Sequence, residues 1–268
     1  MITTGAAKAP DRTRDIVDAG EARIEVIAEG AGPLVVILPS RGRDSEDYDE
    51  VASGIAKAGF RVLRPQPRGT CRSCGPMTGL TLHDFARDVA AVIEYAGGGP
   101  AVVAGHAFGN WVARMTAADH PRLVRGVAIL AAAAKTFPRA LSEAVTRSAD
   151  VTLADAEHLK YLRAAFFAPG HEAGVWLKGW YPEVNASQFA AGRATRQEEW
   201  WGAGKAPLLD LQAALDPFKP RETTNELRDE FGERVTIVVI PDASHALIPE
   251  QPAAVVEAIV SWMRKLPR

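Results

Sequence analysis

The segment Ala101-Val-Val-Ala-Gly-His-Ala-Phe-Gly-Asn-Trp-Val-Ala-Arg-Met115 restricts this chain more than any other. It begins as an apolar run of strand character, and Phe108, Val112 and Met115 then recur at helical spacing. Strand and helix must therefore meet within Gly105-His106-Ala107-Phe108-Gly109, where glycines at both ends remove the β-carbons that would hold the two elements apart. A strand that passes straight into a helix is the repeating unit of a parallel sheet with helical crossovers.

The rest of the chain repeats this alternation. Strands are expected at Arg23–Ile27, Leu34–Leu38, Arg61–Arg64, Ala101–Ala104, Gly126–Leu130, Leu208–Leu211 and Val235–Ile240, most of them as continuous apolar runs. Such runs fit a sheet covered by helices on both faces. The covering helices are marked by single-faced stripes: Tyr48, Val51, Ala52 and Ile55; Phe85, Val89, Val92, Ile93 and Ala96; and Val255, Val256, Ile259, Val260 and Met263. Thr81 and Asp84 have the spacing of a capping box at the start of the second of these. From 137 to 206 the alternation stops, leaving helical patches with no convincing strand. The expected organisation is an α/β core of residues 1–136 and 207–268, with a mostly parallel central sheet and a helical lid of 137–206. Trp176, Trp180, Tyr181, Trp200 and Trp201 fall in that lid. They read equally as an apolar roof over a pocket and as packing of lid onto core.

Composition narrows the partners. Hydrophobic residues make up 47% and charged residues 24% of 268, with a formal net charge of −2. No basic stripe is available for phosphate neutralisation, so nucleic acid is not an expected partner. No apolar run approaches the roughly 20 residues of a membrane span. Met1 to Asp15 carries Lys8, Arg12 and Arg14 without a following apolar run, so no secretory or lipidation signal is evident and a soluble, cytoplasmic protein is expected. Cys71 and Cys74 form a Cys-x-x-Cys pair with only His83 nearby as a further ligand type, which reads as two loop thiols rather than a metal or redox site.

The strand-turn-helix around Ala107 resembles the nucleophile elbow, G-x-S-x-G, of the α/β-hydrolases, with alanine at the central position. The resemblance covers nearly the whole chain. Leu34–Leu38 followed by Pro39-Ser40-Arg41-Gly42 is similar to the strand and loop that usually carry His-Gly-x, with Pro39 and Ser40 in place of His-Gly. It implies an oxyanion hole made by the backbone N–H groups of Arg41 and Phe108. Pro65-Gln-Pro-Arg-Gly-Thr-Cys-Arg-Ser73 partly matches the family's D-x-R-G-x-G-x-S loop, with Gln66 replacing the acid and Cys71 a glycine. The family order of nucleophile, acid and histidine points to Asp216, in a D-x-x-x-P context, and to His245, which follows the last strand and continues as His-x-x-x-x-Glu-x-Pro. Asp210 competes for the acid position but sits inside a strand rather than at its carboxyl tip, where ligands and catalytic groups gather. Ser40, His106, Trp176 and Trp180 are candidates for substrate contact, with His106 also suited to shaping the turn.

Alanine at the nucleophile position forbids an acyl-enzyme, because a methyl group has no lone pair to attack with. Three readings stay open on the sequence. A working serine hydrolase has had its serine replaced by engineering; or the alanine is natural and His245, oriented by Asp216, acts as general base on water or on a substrate C–H or O–H; or the chain binds a small molecule without catalysis. Ser40 as a substitute nucleophile would need hydrogen-bond contact with His245. The expected partner is a small ester, lactone, amide or related carbonyl substrate, no cofactor or metal is required, and a homodimer stays open.

Overall fold

The computed structural model describes residues 12–267. Most of the segment read above for a leader, Met1 to Asp11, lies outside the described residues. An eight-stranded sheet runs through the molecule: β1 (Thr13–Asp18), β2 (Arg23–Gly30), β3 (Leu34–Leu38), β4 (Arg61–Pro65), β5 (Ala101–His106), β6 (Val124–Leu130), β7 (Leu208–Ala213) and β8 (Val235–Ile240). Their spatial order is β1-β2-β4-β3-β5-β6-β7-β8. β1 and β2 are antiparallel to their neighbours, and the pairs from β4 to β8 are parallel.

The continuous apolar runs divide by alternate residues between two cores. In β3, Val35 and Ile37 face a cluster with Val51 and Ile55 of α1 (Asp49–Lys57) and with Val255 and Ile259 near the C-terminus. Val36 and Leu38 face the opposite cluster, with Phe85 and Val89 of α2 (Leu82–Tyr95) and Val112 and Met115 of α3 (Phe108–Asp119). Each buried aliphatic side chain of this kind contributes about 1.5–3 kcal/mol over its exposed state, so both faces need cover. α2 opens with Asp84 accepting from the Thr81 N–H at 2.8 Å, one half of the expected capping box.

Between β6 and β7 the chain builds α4 (Arg139–Ser148), α5 (Asp155–Ala165), α6 (Pro182–Ala194) and α7 (Gln197–Trp200), with no strand among them. A third core forms here from Leu162, Phe166, Phe167, Trp176 and Trp180, and it also takes in Phe218 and Ala246 from the loops after β7 and β8. The chain then closes with α8 (Glu226–Phe231), α9 (Leu247–Glu250) and α10 (Pro252–Met263). Among the described residues no helix is long and apolar enough to cross a membrane.

Two differences from the sequence reading have simple causes. β1 was not expected, because its sequence, Thr-Arg-Asp-Ile-Val-Asp, is polar and only Val17 is buried. It is an edge strand defined by main-chain pairing to β2, from Thr13↔Ala28 to Asp18↔Arg23. β5 runs on to His106 rather than stopping at Ala104, because Gly105 pairs with Leu38 and His106 with Leu130.

The packing of β5 on α3 depends on missing β-carbons. A methyl on Gly105 would stand 2.2 Å from the carbonyl oxygen of Gly109, and one on Gly109 would stand 2.5 Å from that of Leu38. Both obstacles are backbone and cannot rotate away. Gly105→Ala is expected to destabilise the protein by about 3 kcal/mol, the upper range for forced overpacking, read as a lower urea midpoint at unchanged slope.

Candidate active site

At the carboxyl end of β5 the chain reverses into α3 through Ala107, whose φ of 48° and ψ of −114° lie where an L-residue is rarely found. Such a conformation costs of order 1–3 kcal/mol and persists only when its surroundings hold it. Here the Ala107 N–H donates to the Leu130 carbonyl at 3.0 Å, and the Ala107 carbonyl accepts from the Asn110 N–H at 3.1 Å and from the Asn110 side-chain amide. The turn lifts the Ala107 methyl onto the wall of a cavity of about 640 Å³, counted out to its open mouth.

The loop after β3 supplies a second wall. The Ser40 N–H donates to the Tyr48 hydroxyl at 2.9 Å, the Gly42 N–H to the Gln188 side chain at 2.8 Å, and the Arg43 N–H to the Ser40 carbonyl at 3.3 Å. Arg41 is the residue of this run whose N–H has no acceptor among the described residues. The Phe108 N–H, first in α3, is likewise unpaired among them, as the opening donors of a helix are. Both residues line the same cavity.

Asp216 lies just beyond the tip of β7 and His245 beyond the tip of β8, and both are buried. His245 Nδ1 meets Asp216 Oδ2 at 2.9 Å, while Asp216 Oδ1 accepts the Phe218 N–H at 2.8 Å. The carboxylate can only accept, so Nδ1 carries a proton, and in the neutral imidazole Nε2 is the nitrogen left to accept. Nε2 has no protein partner among the described residues, and His245 lines the cavity. Asp210 is fully buried within β7, where it accepts from Gln212 Nε2 at 2.7 Å and lies 4.0 Å from Lys219 Nζ; burial pushes its carboxyl above the usual range. The chain thus brings Asp216 to His245 and holds Asp210 in a separate buried charge cluster.

His106 does not face the cavity. It is completely buried, and burial together with the neighbouring His245 pushes its imidazole down to about 3, so it is neutral. Its Nε2 meets the His245 carbonyl at 2.7 Å and its Nδ1 meets the Tyr48 hydroxyl at 2.7 Å. A carbonyl only accepts, so Nε2–H donates to His245 and Nδ1 accepts from Tyr48. The resulting chain, Ser40 N–H to Tyr48 to His106 to the His245 carbonyl, ties the loops after β3, β5 and β8 together.

Trp176 and Trp180 are also absent from the cavity wall. They are buried in the inserted segment against Phe166, with the Arg43 guanidinium carbon 5.0 and 4.8 Å from their ring centroids. Of the two readings open on the sequence, roof or packing, their burial matches packing. The cavity's aromatic wall is made instead by Phe137, Phe166, Phe189 and Phe218. Ser40 does line the cavity, although its side chain makes no hydrogen bond with His245. Cys71 and Cys74 are exposed free thiols. Arg68 of that loop pairs with Asp88 at 2.7 and 2.8 Å, and the Gln66 side-chain Oε1 accepts the Ser45 N–H at 2.8 Å, so the loop's polar residues hold backbone and helix in position.

The sequence did not show the structural role of two contributors, although Glu250 belongs to the His-x-x-x-x-Glu-x-Pro continuation. Tyr48 was read as one member of an apolar stripe, yet its hydroxyl is the middle of the buried hydrogen-bond chain. Glu250 accepts the Ser244 and Ala168 N–H groups, each at 2.6 Å, and so joins the histidine loop to the inserted segment. Tyr48→Phe leaves the Ser40 N–H and His106 Nδ1 buried without partners. It is expected to lower stability by about 1–3 kcal/mol, the cost of stranding buried polar groups, read as a fall in the urea midpoint.

A family model described as the alpha/beta hydrolase fold matches residues 33–167. The chain is 30% identical over 111 residues to 2-(acetamidomethylene)succinate hydrolase of Mesorhizobium japonicum, covering 41% of this chain and 40% of that protein. It is 29% identical over 117 residues to pyrrolizixenacetamide deacetylase of Xenorhabdus hominickii, covering 43% and 44%. The match thus spans about two fifths of the length of each of these relatives. Among solved structures, the esterase EaEST of Exiguobacterium antarcticum superposes with a TM-score of 0.80 at 18% identity, over 94% of this chain and all of that one. With the sheet order, the sharp turn at Ala107 and this family match together, the chain belongs to the α/β-hydrolase fold family.

Proposed function

We propose that this chain hydrolyses a small ester, lactone, amide or related carbonyl compound, using water in place of a side-chain nucleophile. The observation that carries this reading is the 2.9 Å hydrogen bond between Asp216 and His245 Nδ1, which leaves Nε2 unpartnered beside the cavity lined by Ala107, Arg41 and Phe108. The names of the two relatives above, a hydrolase and a deacetylase, agree with it.

Ala107 stands at the family's nucleophile position and offers only a methyl group. Water therefore takes the nucleophile's part. His245 Nε2 accepts a proton from the water, and the water oxygen bonds to the carbonyl carbon as the carbonyl's π pair moves onto its oxygen. The Arg41 and Phe108 N–H groups receive that oxyanion. Collapse breaks the C–O or C–N bond, and the His245 imidazolium returns its proton to the departing alcohol or amine. Asp216 keeps the Nδ1 proton throughout, fixing the tautomer and stabilising the imidazolium. The helical segment 137–206 acts as the lid, and its Phe166 and Phe189 give the cavity an apolar roof. A site of this kind retains roughly 10³–10⁴-fold acceleration over water from oxyanion donors and binding.

Hydrolysis of p-nitrophenyl acetate tests the reading in two ways. The chain as it stands is expected to release nitrophenolate slowly, and His245→Ala is expected to abolish that release; equal turnover in the variant would remove His245 as base. Ala107→Ser is expected to raise turnover by about a hundredfold or more, since it restores a nucleophile beside a base already in place. No rise would count against a hydrolase geometry at this elbow. Ligand affinity that survives loss of both His245 and Asp216, with no product formed, would make the chain a binder instead.

A further inference from the structure

Four arginines gather near the carboxyl end of the sheet, and three of them hold a carboxylate. Arg43 pairs with Asp47 at 2.7 Å, Arg64 with Glu29 at 2.8 Å and with Asp49, and Arg68 with Asp88 at 2.7 Å. Arg41 has no such partner. Its guanidinium makes no ion pair and no hydrogen bond with any described residue, and its Nε is buried without an acceptor. The Phe189 ring centroid lies 5.1 Å from its guanidinium carbon.

This residue lies on the cavity wall beside Ala107 and His245, where most of the other walls are apolar. Burial pushes the Arg41 guanidinium down to about 10, which leaves it charged at neutral pH. A partly buried cation with no counter-ion is unfavourable unless a charge from elsewhere completes it. His245 offers no negative charge, and the carboxylate of Asp216 is already occupied by His245 and the Phe218 N–H. Arg193, exposed, also lies by the Phe189 ring, with its guanidinium carbon 5.9 Å from the ring centroid and no ion pair among the described residues. The approach to the cavity at Phe189 therefore carries two unneutralised positive charges, a distribution that draws in anions.

We propose that the Arg41 side chain is a specificity determinant that binds a carboxylate on the substrate, while the scissile carbonyl of the same molecule lies toward His245. The planar guanidinium matches a carboxylate with two parallel hydrogen bonds. The aromatic wall of Phe137, Phe166 and Phe218 accommodates the apolar part between the two ends. The substrate class is accordingly an ester or amide that carries a free carboxylate. This assignment rests on the proposed hydrolase reading for what happens to the carbonyl end, but the recognition of the anion does not require turnover.

Equilibrium binding to the intact chain, measured by titration calorimetry, separates the two. The probes are 4-phenylbutanoate and its neutral amide, 4-phenylbutanamide. The carboxylate is expected to bind at least about tenfold more tightly than the amide, as a hydrogen bond to a charged group does relative to a neutral one. Arg41→Met is expected to abolish that preference, and Arg41→Gln, which keeps a polar side chain of similar reach, is expected to abolish it as well. Equal binding of the two probes by the unmodified chain, binding of neither, or a preference that survives in whichever of the two variants folds would overturn the assignment. If the carboxylate preference holds while Ala107→Ser gains no esterase activity, the hydrolase reading fails and the anion site stands. The reverse result leaves the hydrolase and removes the anion site.

Discussion

A buried chain of hydrogen bonds holds three loops of this protein in fixed relation, and the geometry of the cavity follows from it. The Ser40 N–H, the Tyr48 hydroxyl, the His106 ring and the His245 carbonyl come from segments that are far apart in sequence but adjacent at the carboxyl end of the sheet. Each member has one role open to it. The neutral imidazole must donate to the carbonyl and accept from the phenol, so the network admits one arrangement of protons. A fully satisfied buried network of this kind favours one conformation over neighbouring alternatives. The loop after β3, the turn after β5 and the histidine loop are consequently set against one another by polar groups that never meet solvent.

The strained turn at Ala107 is the second constraint, and it draws on the sheet itself. Its positive φ is sustained because β5 is paired on both sides almost to the turn and because α3 approaches β3 to backbone contact at Gly109. Strain at such a point has a use when a side chain must project from a strand tip into a cavity. Ala107 keeps that posture although its methyl group can do no nucleophilic chemistry. The posture is a property of the glycines and the flanking strands, so it does not depend on which small residue occupies the apex.

The helices between β6 and β7 are joined to the loops after β7 and β8. Phe218 and Ala246 belong to the insert's own core, the Ala246 N–H donates to the Phe166 carbonyl at 2.7 Å, and Glu250 clasps backbone from both parts. Phe218 of that shared core packs on His245 with the ring centroids 4.4 Å apart.

Much of this architecture was legible in the sequence, for reasons that differ from residue to residue. The seven expected strands were visible because a strand buried on both faces leaves an unbroken apolar run, and the elbow because two glycines at that spacing join a strand to a helix without a loop. Chain order and strand tips singled out Asp216 and His245, which the structure places 2.9 Å apart. β1 was invisible, since an edge strand held by main-chain pairing imposes no side-chain pattern. The sequence suits His106 to shaping the turn and the tryptophans to packing or roof, but the particular neighbours of His106, Trp176 and Trp180 were hidden. Sequence establishes that a residue is apolar or polar and roughly which element carries it, whereas its neighbours across the fold are chosen by packing between segments distant in the chain. The same reason separates Arg41 from Arg43: both are arginines in one short loop, and only tertiary structure decided that Asp47 would neutralise the second while the first faces a cavity with no acid beside it. The order of strands and the posture of the turn were thus written in local pattern, while the lining of the cavity and its uncompensated charge arose from contacts that local pattern does not encode.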